Sequence, residues 1–205
     1  MLDLGAGSGR LTAELAQAAR RVVAVELDTR LAASLRGRWP NVDVIEGDAA
    51  RVELPSEPFR VVANLPFDGA TAILRHLLDD PRVPLVRADV VVEWGVAVKR
   101  SLPWPSTFND VAWGAWNTVS LVRRLPRGCF EPRPSVDAGV LAFTRRPRPL
   151  VPVELAVEYR RFVAQGFRRG RGRGAAQPRD LDAYQWAELF LSRPRSSAAR
   201  ARSSP

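Results

Sequence analysis

Residues 2–9 read Leu2-Asp3-Leu4-Gly5-Ala6-Gly7-Ser8-Gly9, and a β-branched run, Arg21-Val22-Val23-Ala24-Val25-Glu26, follows soon after. Leu2 to Leu4 is the stub of a strand. Three glycines at alternate positions then let the backbone turn sharply and approach a ligand closely. Leu11 to Ala19 carries apolar residues at helical spacing, and Arg21 to Glu26 has the length and composition of a buried strand. Strand, glycine turn, helix and strand make one βαβ unit, which lays two parallel strands side by side.

The same alternation continues along the chain. The pattern predicts a helix from Asp28 to Trp39, strands at Val42–Ile45 and Phe59–Ala63, a helix from Gly69 to Leu78 and a strand at Ala88–Val92. The expected fold is therefore α/β, a doubly wound, Rossmann-like parallel sheet covered on both faces. Val119–Leu125 and Val136–Thr144 are close enough to pair as antiparallel edge strands. Pro147, Pro149 and Pro152 break the pattern. Val153–Phe167 follows as a helix with Leu155, Tyr159, Phe162 and Val163 on one face, then a basic run Arg168–Gly174 and a last helix from Leu181 to Leu191. The expected division is a main domain over 1–146, a short basic helical segment over 147–192 and a disordered tail over 193–205.

The chain has 205 residues, 46% of them apolar, enough for a hydrophobic core. No run of eighteen apolar residues suggests a membrane span, and Met1 leads into Leu2, Asp3 and Leu4 without a signal-like pattern. Cytoplasmic residence is the default expectation. The single cysteine, Cys129, makes neither an internal disulfide framework nor a metal cluster. The net charge is +9, and all of it lies beyond residue 144. Residues 1–144 hold 17 basic and 17 acidic side chains, whereas residues 145–205 hold 14 arginines and 5 acids. Arg168, Arg169, Arg171 and Arg173 are the densest part, the footprint expected of a phosphate-backbone binder. A solvated tail in an arginine-rich chain fits the same charges.

The spacing of the first loop is G-x-G-x-G, with Asp3 two residues ahead of Gly5. A dinucleotide loop has G-x-G-x-x-G and sets a pyrophosphate on the helix N-terminus. The pattern here suits a cofactor carrying an amino-acid moiety instead. Glu26 ends the second strand, where a carboxylate can accept from both ribose hydroxyls. Asp48 ends the third, in Glu46-Gly47-Asp48-Ala49, and can accept from an adenine amino group while a backbone N–H nearby reads a ring nitrogen. Each acid alone fits a surface position. Three at consecutive strand ends point to a ligand, because ligands of open α/β sheets sit at the carboxyl ends of the strands.

Asn64-Leu65-Pro66-Phe67 follows the fourth strand. An exocyclic amine on an aromatic ring is a poor nucleophile, because its lone pair is delocalised. The Asn64 side-chain carbonyl and the backbone carbonyl of Leu65 or Pro66 can accept its two N–H bonds and turn the lone pair towards a methyl donor. Pro66 restrains the loop, and Phe67 can stack on a base. No metal is needed, since the alkylated nitrogen is itself acidic.

These motifs, with Phe130-Glu131-Pro132-Arg133-Pro134-Ser135-Val136-Asp137, resemble those of the rRNA adenine N6-methyltransferases over about residues 1–192. The resemblance implies a methyltransferase fold that uses S-adenosyl-L-methionine (AdoMet), with antiparallel edge strands and a short C-terminal helical appendage. It implies AdoMet as cofactor, rRNA as partner, no membrane or metal, and a monomer. It assigns Asp3, Gly5, Gly7, Gly9, Glu26, Leu27, Asp48, Ala49 and Asn64 to the cofactor. Asn64, Leu65, Pro66, Phe67 and Phe130 fall to the reacting adenine, with Phe130 a second aromatic wall facing Phe67. Phe59–Phe67, Tyr159–Val163 and Gln185–Ala187 resemble the erythromycin-resistance branch, whose members methylate 23S rRNA and confer macrolide-lincosamide-streptogramin B resistance. The alternatives are a small-subunit rRNA adenine dimethyltransferase and a non-catalytic RNA-binding relic. A small-molecule or protein-glutamine methyltransferase also uses an Asn-Pro-type loop, but the basic segment argues against it.

The family places a basic arm, a helix and a Gln-x-Phe-like motif ahead of the first strand, whereas this sequence starts at that strand. The expectation is a piece of a longer protein, or an enzyme that binds AdoMet weakly and melts low. Where the family has Gln-x-Glu, this chain has Glu93-Trp94-Gly95. His76 reads as a boundary histidine, Cys129 as a packing residue, Trp113 and Trp116 as core, and Asp79-Asp80 as a solvated pair at a helix end.

Overall fold

The computed structural model describes residues 1–104, 107–169 and 180–193. Seven strands form one sheet: β1 (Leu2–Leu4), β2 (Val22–Glu26), β3 (Val42–Glu46), β4 (Phe59–Asn64), β5 (Leu85–Glu93), β6 (Asn117–Leu125) and β7 (Ala138–Arg145). Their order is β3-β2-β1-β4-β5-β7-β6. The first five are parallel, and β7 runs antiparallel between β5 and β6. All three residues of β1 are buried, as a strand covered on both faces must be. Alternate side chains serve opposite faces. Ala24 packs with Leu35 and Ala6 on one side, while its neighbour Val25 joins Leu4, Val61 and Ala63 on the other.

The helices are α1 (Arg10–Ala18), α2 (Thr29–Leu35), α3 (Ala70–Leu78), α4 (Trp94–Ser101), α5 (Phe108–Gly114), α6 (Ala156–Arg169) and α7 (Ala183–Leu191). Asp28 starts α2 by accepting the Arg30 and Leu31 N–H groups. The helix expected to reach Trp39 stops at Leu35. Arg36 turns extended and Gly37 takes a left-handed φ of +73°, a conformation that ends helices. The released turn folds back under the glycine loop, where Arg38 donates to the Ser8 carbonyl at 3.0 Å.

Helices α4 and α5 have no counterpart in the sequence reading. Both are short, and their helical period is hidden by glycine, proline and tryptophan. Helix α4 lies against β7 because Gly139 has no side chain; a Cβ there would stand 2.6 Å from that of Ala97. Trp113 and Trp116 are core residues, as expected, each 1% exposed. Trp113 meets Phe143 edge-on and donates its indole N–H to Asp79 at 2.8 Å. Asp79 also accepts from Arg75 and from Arg160 of α6. Asp79 is thus not part of a solvated pair; it joins the end of α3 to α5 and α6. Asp80 accepts from Arg82.

Helices α5, α6 and α7 enclose a second core around Trp116, Tyr159, Val163, Trp186 and Phe190. Its rings meet edge to face, Trp116 with Tyr159 and Tyr159 with Phe190. Gly166 lets α6 approach α7, since a Cβ there would sit 2.4 Å from the Trp186 ring. Cys129, expected to pack, is exposed in a short 3-10 turn after β6. His76 is half-buried, with Nε2 2.7 Å from the Val52 carbonyl. The tail beyond residue 193 lies outside the described residues, as does the basic run from Gly170 to Gly174.

Candidate active site

The loop after β1 is built by hydrogen bonds that cross to β2. Gly5 and Ala6 both donate their N–H to the Val25 carbonyl, at 2.8 and 3.0 Å. Gly5, Gly7 and Gly9 all have positive φ, 76°, 56° and 82°, which side-chain-bearing residues avoid. At Gly9 a Cβ would also stand 2.4 Å from Leu35. Glu26, at the end of β2, accepts the Gly7 N–H at 2.6 Å and the Asp28 N–H at 2.9 Å. One carboxylate therefore fixes the loops after two neighbouring strands. Each of its oxygens keeps a further lone pair.

Asp3 lies beneath this loop, 1% exposed. Its Oδ2 accepts the Thr12 hydroxyl at 2.6 Å, and its Oδ1 has no partner. Burial pushes the Asp3 carboxyl up to about 6; the Thr12 hydrogen bond opposes this and the nearby Glu26 charge adds to it. Thr12 was not singled out from the sequence. Its signal is modest: a hydroxyl on the inward face of the first helical turn, three residues past Gly9.

Asp48 holds the loop after β3 by accepting the Ala50 N–H at 2.8 Å. Ala49 is buried and Leu27 is exposed. Across the switch point, Leu65 donates its N–H to Val91 at 3.1 Å, and Gly69 donates to the Pro66 carbonyl at 3.0 Å. Leu65 is buried, while Asn64, Pro66 and Phe67 face solvent. The two loops meet at Gly5, where a Cβ would make ordinary contact with the Pro66 ring at 3.7 Å.

Between these loops runs a cleft of about 520 Å³. Gly5, Glu26, Leu27, Asp48, Ala49, Asn64, Leu65 and Pro66 line it, so eight of the residues singled out from sequence converge there. Val25, Gly47, Ala50, Gly69, Ala72 and Ile73 complete the wall. Those six were missed, because backbone and small apolar positions carry no chemical signature. Asp3, Gly7, Gly9, Phe67 and Phe130 do not line the cleft. Phe130 is half-buried in the β6–β7 connection, at the same carboxyl end of the sheet. Its neighbour Glu131 approaches Arg10 of α1 at 3.6 Å. Arg168 is exposed in the last turn of α6, Arg169 ends that helix, and Arg171 and Arg173 lie outside the described residues.

A five-stranded parallel sheet with an antiparallel β7 inserted before β6, and a glycine-loop cleft at its switch point, defines the class I methyltransferase fold. The family described as ribosomal RNA adenine dimethylase matches residues 1–173, and the chain belongs to it. An rRNA adenine N-6-methyltransferase of Corynebacterium diphtheriae is 37% identical over 85% of this chain and 69% of its own length. The mycinamicin-resistance protein MyrB of Micromonospora griseorubida is 33% identical over 93% of this chain and 68% of its own. The crystal structure of the 23S rRNA methyltransferase ErmE superimposes with a TM-score of 0.74 at 28% identity, covering 93% of this chain and 88% of that one. No helix among the described residues is long and apolar enough to cross a membrane.

Proposed function

We propose that this chain methylates N6 of an adenine in 23S rRNA, with AdoMet as the methyl donor. The observation that carries the reading is one cleft shared by Glu26 and Asp48 on one wall and by Asn64, Leu65 and Pro66 on the other. A volume of about 520 Å³ is of the size that small-molecule ligands occupy. The residues present fit AdoMet. Glu26 offers lone pairs at the end of β2 for two ribose hydroxyls, Asp48 offers acceptors for the adenine ring, and the unpartnered Asp3 Oδ1 lies beneath the glycine loop. When bound, AdoMet supplies an electrophilic methyl group on a sulfonium sulfur.

The remaining chemistry belongs to the chain. The Asn64 side-chain carbonyl accepts one N–H of the target amine. The Pro66 carbonyl already receives the Gly69 N–H. That carbonyl keeps a second lone pair, so we assign the second N–H to the backbone carbonyl of Leu65 or of Pro66. Holding both hydrogens draws the nitrogen lone pair out of the ring and preorganises it for attack. The methylated nitrogen then loses a proton to water. Phe67 and Phe130 stack on the adenine once it has left its helix. Arg168, Arg169, Arg171 and Arg173 bind the RNA backbone. The 23S assignment, over the small-subunit RNA, is supported by the likeness to the 23S rRNA methyltransferase ErmE.

The test uses AdoMet with a tritiated methyl group and protein-free 23S and 16S rRNA. After digestion, label should appear in N6-methylated adenosine from 23S rRNA. Label confined to 16S rRNA would favour the small-subunit reading, and no label in either RNA would favour the relic.

A further inference from the structure

Asp137 closes the Phe130–Asp137 string and takes no part in the chemistry above. Its Oδ1 accepts the Arg127 N–H at 2.9 Å. Its Oδ2 accepts from Arg124 twice, Nε at 2.9 Å and Nη2 at 2.7 Å. Its carbonyl accepts the Trp94 N–H at 2.8 Å, where β5 gives way to α4. The Arg124 guanidinium in turn lies 4.9 Å above the Trp94 ring. One residue thus ties the end of β6, the turn after it, the start of β7 and the end of β5. The donors on both oxygens hold the carboxylate below its ordinary range, so it is ionised at neutral pH.

Besides Asp137 the loop has few ties: Arg127 Nη1 donates to the Ser135 carbonyl at 3.4 Å, and Phe130 and Pro134 are half-buried. None of residues 126–137 is buried. Packing therefore does little to set where the loop stands, and a segment with few buried contacts opens readily. At its tip the Glu131–Arg10 ion pair is exposed on both sides, and such pairs contribute little. The bonds at the neck remain.

We infer that Asp137 is a positioning residue for the methyl acceptor: it clamps the neck of the 126–137 loop and so holds Phe130 at the acceptor side of the cleft. The inference rests on the reading that Phe130 walls the target adenine. It acts through Phe130, touching neither substrate nor cofactor.

The sole cysteine, Cys129, is exposed inside this loop, so a nitroxide attached there reports the loop alone. Its spectrum should show restricted motion in the unaltered chain, free motion in Asp137→Ala and an intermediate state in Asp137→Asn, which still accepts the Arg127 N–H. Turnover on 23S rRNA should fall roughly tenfold to a hundredfold in Asp137→Ala, the scale of a misplaced reacting group. Asp137→Asn should recover part of that loss, and AdoMet affinity should stay within about twofold in both. If Asp137→Ala melts too low to study, Asp137→Asn and Arg124→Gln carry the same comparison. An unchanged label spectrum in every variant overturns the clamp, whatever the reaction is. A freed label with full turnover shows instead that Phe130 does not serve the acceptor, which overturns the reading beneath the inference.

Discussion

The two rims of the cleft are built differently. On the side of β1, β2 and β3, each loop is bonded to its neighbour. Gly5 and Ala6 hang from the Val25 carbonyl, Gly7 and Asp28 from the Glu26 carboxylate, and Gly47 from the Glu26 carbonyl at 2.9 Å. On the side of β4 and β7, Asn64, Pro66 and Phe67 face solvent, and the loop carrying Phe130 has no buried residue. A small cofactor is bound best by a site already formed. A base within a large RNA must be reached and turned out, so the groups that receive it have to stand in the open. On the proposed function, the contrast separates a prebuilt cofactor rim from an exposed acceptor rim.

The largest expected effect lies on the acceptor rim. Asn64→Ala should lower methyl transfer by a hundredfold to a thousandfold, about 3–4 kcal/mol, because one aligned acceptor is lost at the transition state. Steady-state rates on rRNA check this, and near-normal turnover would remove Asn64 from the chemistry. On the cofactor rim, Gly9→Ala should cost about 2–3 kcal/mol of fold stability. The new Cβ meets Leu35 while the backbone keeps a left-handed φ. A thermal melt reads this, and an unshifted midpoint would mean the loop relaxes freely.

Asp3→Asn should have the smallest effect and the opposite sign. The Asp3 carboxyl stands at about 6 in the folded chain against 3.8 ordinarily, so the folded state binds its proton more tightly than the unfolded chain does. Asp3 therefore removes stability as pH rises from about 4 to 6; the loss is complete above that range and absent below it. Asn in its place keeps an acceptor for Thr12 and carries no charge. Removing the titration is worth about 3 kcal/mol and burying the Asn amide N–H without a partner costs about 1 kcal/mol, so stability should rise by about 2 kcal/mol at pH 7.5 and fall slightly at pH 4. Denaturant titrations at both values decide; an equal change at each would show that Asp3 is not the titrating group.

The rim of β1, β2 and β3 is more fully legible in the sequence than the rim of β4 and β7. Glu26 is legible because it ends a β-branched run, Asp48 because it follows one by two residues, and Asp3 because it lies in the short apolar strand just ahead of the glycine loop; strand ends are where such a sheet binds ligands. The parallel strands and the antiparallel β6–β7 pair follow from the same alternation; their order does not. Helix α2 was overextended because Gly37 lies inside an otherwise helical pattern, and its left-handed φ is decided by Arg38 and Trp39 folding under Gly9. The role of Asp79 was misread because its partners, Trp113 and Arg160, are distant in the chain. Thr12 and Asp137 were passed over for a related reason: their partners are visible only once the helix and the hairpin are folded.

The division of labour between the rims is tested most directly by calorimetric titration of AdoMet into Glu26→Ala and Asn64→Ala. Glu26 carries charged hydrogen bonds worth on the order of 1.5–3 kcal/mol, so its loss should weaken AdoMet binding roughly tenfold to a hundredfold. Asn64→Ala should bind AdoMet about as well as the unaltered chain while failing to methylate. Equal weakening in both variants, or weakening in Asn64→Ala alone, would contradict the separation of a prebuilt cofactor rim from an acceptor rim.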